Sequence, residues 1–156
     1  MADCNDDASR HRTILLVEDN PGDARLVEEI CDDLNLSSVL HTVSTGSEAL
    51  DFVNQRGEHS DVPPTDLVIL DWHLSGLSAK EVVSELNDDP AHAHIPVIVV
   101  TGTVTEKQVR EVYELNVNAC LPRPDGPDEL RTTIRAFKTF WLSTARLPYG
   151  NCENRR

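Results

Sequence analysis

The sequence predicts an α/β domain: a doubly wound sheet of five parallel β-strands flanked by five helices. Three observations carry this reading. Short apolar runs alternate with amphipathic stretches five times, the β-α repeat that builds a parallel sheet with right-handed crossovers. Two of those runs, DLVIL and PVIVV, are apolar almost throughout, as strands buried on both faces are. A length of 156 residues suits one compact domain and leaves little room for a second.

The strands are expected at Thr13–Val17, Ser38–Val43, Asp66–Leu70, Pro96–Val100 and Ala119–Leu121. The first helix begins near Gly22, where Val27, Ile30, Cys31 and Leu34 recur at the spacing of one buried stripe. Ser47–Gln55, Ala79–Asn87 and Glu106–Leu115 fit three further helices. The fifth starts at Pro127, a good first helical residue, and runs to about Ala145 with Leu130, Ile134, Phe137 and Trp141 inward. Residues 1–12 form a polar tail expected to be disordered, the domain spans 13–146, and 147–156 make a second tail.

Composition narrows the function classes. The longest apolar run, Ile95 to Val100 broken by Pro96, cannot cross a bilayer, and the acidic start does not read as a signal peptide. A cytoplasmic location is the expectation. Cys4, Cys31, Cys120 and Cys152 contain no short-spaced pair, so neither a zinc site nor a disulfide framework is indicated. The net charge of −13 opposes binding to nucleic acid or to anionic membranes. Only three lysines (Lys80, Lys107, Lys138) accompany 27 acidic residues, a pattern that favours adaptation to high salt over a single acidic docking face. The charge is also uneven, because residues 1–89 hold 20 of the acidic residues and only 5 of the 14 basic ones.

In open α/β sheets, ligands bind outside the carboxyl ends of the strands. Glu18 and Asp19 follow the first strand, Asp71 ends the third, Thr101 ends the fourth and Arg123 follows the fifth. Three ionised carboxylates need a compensating cation, and hard oxygen ligands with room for water suit Mg²⁺. A carboxylate oxygen of Asp71 left free would be a nucleophile toward phosphorus, with Thr101, backbone N–H groups and Arg123 as donors to the phosphoryl oxygens. Each residue also has a plainer role. Asp-Asn-Pro-Gly at 19–22 could simply cap the first helix, Asp71 could be a turn residue, Thr101 a strand terminator and Arg123 a surface charge. Their convergence on one edge favours chemistry.

The segments ILLVEDNPGDARLVEE, DLVILDWHLSG and PVIVVTGT resemble the receiver domain of two-component response regulators over about residues 13–142. The long last helix running into FWLSTARLP resembles stand-alone receivers of halophilic archaea. The resemblance implies a flavodoxin-like fold with strand order 2-1-3-4-5. It implies that Glu18, Asp19, Asp71 and the backbone carbonyl of His73 hold Mg²⁺. Asp71 would accept a phosphoryl group from a sensor histidine kinase or phosphotransfer protein, and the chain would catalyse only its own phosphorylation and hydrolysis. Thr101 would then reorganise the surface of helix four, strand five and helix five.

Several positions depart from the family pattern. Arg123-Pro124 stands where a lysine and proline are usual, and a planar guanidinium fork does not replace an ammonium conservatively. The Arg123–Pro124 bond is expected to be cis by the same resemblance. Cys120 replaces an aromatic switch residue, and Ser75 and Ala79 stand where proline and glycine are common. His73 and Thr103 occupy positions that tune acyl-phosphate lifetime in the family, although His73 reads equally well as a bystander.

The short stretch after helix five predicts output through protein contacts to an unknown downstream protein. Arg131, Arg135 and Lys138 form a basic stripe on helix five, and helix four offers Glu106, Glu111 and Glu114, either as solvated faces or as a homodimer contact extended by Phe140 and Trp141. Three rivals remain. A flavin-binding flavodoxin would need a phosphate loop where Glu18-Asp19 stands, and a haloacid-dehalogenase-type phosphatase would need aspartate at His73. The third is a receiver-like binding module acting without phosphorylation.

Overall fold

The computed structural model describes residues 12–37, 39–102 and 105–148. Within them the chain runs β1 (Ile14–Val17), α1 (Pro21–Asp33), β2 (Leu40–Val43), α2 (Gly46–Val53), β3 (Leu67–Asp71), α3 (Ala79–Asp88), β4 (Val97–Thr101), α4 (Glu106–Glu114), β5 (Ala119–Pro122) and α5 (Pro127–Phe137). The five strands are parallel and ordered β2-β1-β3-β4-β5, so the doubly wound fold expected from the sequence is present.

The later strands sit further toward their carboxyl ends than the apolar runs suggested. Asp66 precedes β3 because its carboxylate is turned back to accept the Thr13 N–H at 2.8 Å. Pro96 precedes β4 because it has no N–H to give, and only its carbonyl joins the ladder, accepting from Val68. The ladder continues instead through Asp71, paired with Val100, and Thr101, paired with Pro122. Ser38 and residues 1–11 and 149–156 lie outside the described residues; of the expected tails Arg12, Leu147 and Pro148 are described, and Leu147 is buried in the layer of Ile30 and Ile134.

Helix starts follow local chemistry. Asn20 caps α1 by accepting from the Gly22 and Asp23 N–H groups, with Pro21 as the first helical residue. Ser78 and Glu81 form a reciprocal capping box on α3, and Thr45 and Thr105 cap α2 and α4. The fifth helix changes character before its expected end. Its α-helical part stops at Phe137, and Lys138–Thr144 continue as a π-helix in which Phe140 and Trp141 meet edge to face at 5.1 Å.

Strand alternation divides the core into two layers. Leu15, Val17, Val68, Leu70 and Val99 face α2, α3 and α4, packed with Phe52, Val82, Val83 and Val112. Ile14, Leu67 and Ile98 face α1 and α5, packed with Ile30, Cys31 and Ile134. Two residues of the fifth helix's basic stripe have partners at the end of α1, while Arg135 stays exposed. Arg131 bonds Asp33 at 2.9 Å and Lys138 donates to the Leu34 carbonyl at 2.9 Å, so both tie the fifth helix to the end of α1. Lys138 thereby satisfies a carbonyl that the C-terminus of α1 leaves open, while Arg131 pairs with a carboxylate at the surface.

Candidate functional site

The strand order reverses between β1 and β3, and the crevice this makes lies at their carboxyl ends. Val17 pairs with Leu70, so the next residues, Glu18 and Asp71, fall side by side. Asn20, not Asp19, is the cap of α1, which leaves the Asp19 carboxylate to the crevice. Carboxylate oxygens of Glu18, Asp19 and Asp71 lie within 4.8 Å of one another. Asp71 is 2% exposed, whereas Glu18 and Asp19 are partly buried.

Both oxygens of Asp71 have protein partners. The His73 N–H donates to Oδ1 at 3.1 Å, and Arg123 Nη2 donates to Oδ2 at 2.8 Å. The same Nη2 lies 3.8 Å from Glu18 Oε2, while Nη1 donates to Asp23 Oδ2 at 3.3 Å. One planar guanidinium thus spans the end of β3, the end of β1 and the first turn of α1, a reach that the compact ammonium of lysine lacks. Burial works against its charge, but Asp71 and Glu18 outweigh that and raise its pKa. Glu18 moves the other way: burial, then the charge of Asp71, push its carboxyl up to about 7. Glu18 therefore keeps its proton closer to neutrality than an ordinary carboxyl, and a bound cation would favour its release.

Thr101 ends β4 fully buried at 1% exposure, and its carbonyl accepts the Arg123 N–H at 2.9 Å. That ladder bond fixes where Arg123 leaves the sheet. The Arg123–Pro124 peptide is trans, against the expected cis form, and there is no cis peptide among the described residues. The trans isomer is the lower in energy for X–Pro bonds by roughly 0.5–1 kcal/mol, and the guanidinium reaches Asp71 from it. Thr103 lies outside the described residues.

Three contributors were not singled out from the sequence. Asp23 is the outer anchor of Arg123, and only its place in the acidic first turn of α1 hinted at it. Ser75, noted from the sequence only as standing where proline is common, directs its backbone N–H and its hydroxyl at Asp19 Oδ2, at 3.3 and 3.4 Å. Tyr113 of α4 accepts the Cys120 N–H through its hydroxyl at 3.2 Å, placing an aromatic ring beside the strand position that lacks one.

The chain thus carries a parallel five-stranded sheet with an acidic crevice at its switch point and a cation against the central aspartate. The family model described as the response regulator receiver domain matches residues 14–135, and the chain belongs to that family. It is 33% identical over 144 residues to the response regulator Rcp1 of Synechocystis, covering 92% of this chain and 98% of that protein. The crystal structure of the phosphorylated cyanobacterial phytochrome response regulator RcpA superposes with a TM-score of 0.82 at 34% identity, covering 89% and 99% of the two chains. The Mn²⁺-bound form of Rcp1 superposes with a TM-score of 0.78 at 35% identity, covering 88% and 99%. Receiver domains are signalling proteins rather than enzymes in the ordinary sense; they bind a divalent metal in the acidic pocket and are phosphorylated by histidine kinases. No helix among the described residues is long and apolar enough to cross a membrane.

Proposed function

We propose that this chain is a single-domain response regulator in which Asp71 accepts a phosphoryl group in a Mg²⁺-dependent phosphorelay. The observation that carries the reading is the cluster of Glu18, Asp19 and Asp71 within 4.8 Å, with Arg123 2.8 Å from the acceptor oxygen. The all-oxygen donor set fits Mg²⁺, with Glu18, Asp19, Asp71 and the His73 carbonyl as its ligands. When bound, the metal supplies positive charge against the phosphoryl oxygens. An oxygen of Asp71 forms a bond to phosphorus as the P–N bond of a phosphohistidine breaks. The departing imidazole nitrogen keeps the bonding pair and takes up a proton. Arg123 and Thr101 hold the phosphoryl oxygens, and water later hydrolyses the acyl phosphate.

The donor is a sensor histidine kinase or phosphotransfer protein in the cytoplasm, and the output is a contact with a downstream protein. A homodimer through α4, β5 and α5 would rest on Arg135, Phe140 and the acidic face of α4, since Arg131 and Lys138 are engaged with α1. The acid-rich, lysine-poor composition supports adaptation to high salt, which predicts a melting temperature that climbs with KCl.

The test is incubation with acetyl phosphate and Mg²⁺ followed by intact mass. One added phosphoryl group, absent from Asp71→Asn, supports the reading. No addition favours a binding module that works without phosphorylation, a second reading for which the Arg123 clamp on Asp71 and Asp23 speaks.

A further inference from the structure

The two faces of the sheet are not covered equally. Leu15, Val17, Val68, Leu70 and Val99, under α2 to α4, are completely buried. Under α1 and α5 the lower row of Ile14, Leu67 and Ile98 is also closed, but Ile69, Val100 and Leu121 above it are only partly buried. The missing cover is a cavity of about 320 Å³ between the sheet and these two helices. Aliphatic side chains wall it from both sides, with Leu26 and Val27 from α1 and Leu130 from α5. Its floor runs from Ile14 to its lip at Glu18, Asp71 and Arg123. Alternation makes this inevitable: Leu16, Ile69 and Leu121 point the same way as Glu18, Asp71 and Arg123 two residues on.

We propose that this cavity binds a linear hydrocarbon chain with a cationic head, of the alkylammonium class. Below the lip its lining is almost wholly aliphatic, so those walls favour an apolar guest over water. The cavity's volume also reaches the range of small-molecule sites, about 300–1,000 Å³. At strand rise, Ile14 to Glu18 covers about 13 Å, so the space is long, and a chain of roughly ten carbons matches it. The lip sets the head group. Glu18, Asp23 and Asp71 outnumber the one guanidinium among them, so an ammonium is attracted there and a carboxylate repelled. The head lies where the carboxylates converge, so guest and divalent cation bind in competition.

The experiment is calorimetric titration of the full chain in EDTA with n-decylamine hydrochloride, kept below its micellar range, and with decanoate. One molecule of decylamine binds per chain, decanoate binds at least tenfold more weakly, and added Mg²⁺ displaces the amine. Val100→Phe and, separately, Ile69→Phe fill the cavity and weaken decylamine binding at least tenfold while the circular dichroism spectrum stays that of the parent. Absence of decylamine binding to the parent chain overturns the proposal, as does equal binding of decanoate. Undiminished binding by a folded filled variant overturns the location. Loss of binding at high protein concentration, together with dimer formation, would replace the guest by a second copy of the chain. None of these readouts depends on phosphorylation.

Discussion

Arg123 Nη2 lies 2.8 Å from Asp71 Oδ2, and the same guanidinium continues to Glu18 and Asp23. Asp71 is shielded from solvent while Arg123 is 38% exposed at its side chain, so the pair is closed on the acceptor side and open on the donor side. The guanidinium is thus a resident cation among carboxylates close enough together to hold a metal ion. It lowers the repulsion among the carboxylates it touches, and its exposed side leaves it room to shift toward Asp23 when another cation competes for them.

Arg123→Ala therefore has two opposite effects. Without metal, the buried Asp71 loses its main counter-charge, and urea unfolding in EDTA should show a loss of about 1–2 kcal/mol, discounted for the exposure of the arginine. Mg²⁺ no longer competes with the guanidinium, so its affinity should rise roughly threefold to tenfold, about 1 kcal/mol. Weaker Mg²⁺ binding in the variant would show that Arg123 does not compete for the carboxylates.

Glu18 gives the site its pH dependence. Its folded carboxyl sits at about 7 against 4.5 unperturbed, so between those values the folded state binds more protons than the unfolded chain. Protonation then favours folding, and the contribution is lost as pH rises through about 7. Metal-free protein should accordingly be more stable at pH 5.5 than at pH 8, on the order of 2 kcal/mol. Mg²⁺ must displace that proton, so its affinity should fall as pH drops below 7, with proton release seen by calorimetry in buffers of different ionisation enthalpy. Glu18→Gln should flatten the stability profile and lose the metal. A parent profile already flat from pH 5.5 to 8 would contradict this account.

The fold and the acidic trio were legible because each rests on short-range rules: apolar runs make strands, and the residue after a strand lands on its carboxyl edge. Asp71 and Glu18 needed only that. What Arg123 touches was not legible, since its anchors Asp71 and Asp23 lie 52 and 100 residues away and the side chain is long enough to choose. The fate of Arg131 and Lys138 was hidden for the same reason: spacing shows that they share a face of the fifth helix, not that α1 lies against it. Asp19 illustrates a subtler limit. Whether it or Asn20 caps α1 depends on one turn's geometry, and the neighbour took the role.

Tyr113 and Cys120 make the surface above the site testable. β5 is an edge strand, and its outward Cys120 N–H is covered by the hydroxyl of Tyr113, a residue 48% exposed. Val112 is the one buried residue of α4, and at the helix's end Asn87 Nδ2 donates to the Leu115 carbonyl at 2.7 Å. Tyr113→Phe should cost about 0.5–1.5 kcal/mol and speed hydrogen exchange at the Cys120 amide above that of the inner strands. Unchanged exchange at Cys120 would mean that the hydroxyl does not hold α4 to the sheet.

Gly46 links packing to the site. It opens α2, and a Cβ there would stand 2.8 Å from the Leu77 carbonyl oxygen and 2.9 Å from Val82 Cγ2. The first of these is backbone, so the collision cannot be relieved by a side-chain rotation. Leu77 belongs to the segment between β3 and α3 that also carries His73, bonded to Asp71, and Ser75, bonded to Asp19. Gly46→Ala should cost about 1–3 kcal/mol, as overpacking does, and the displaced segment should weaken Mg²⁺ binding severalfold. Gly102, next to Thr101 at the pocket itself, is the control: nothing lies within 4 Å of a Cβ there, and Gly102→Ala should change stability by less than about 0.5 kcal/mol. Denaturant unfolding and Mg²⁺ titration of both variants decide it. If Gly46→Ala lost stability but kept the affinity of the parent, the β3–α3 segment would not be what positions the metal ligands.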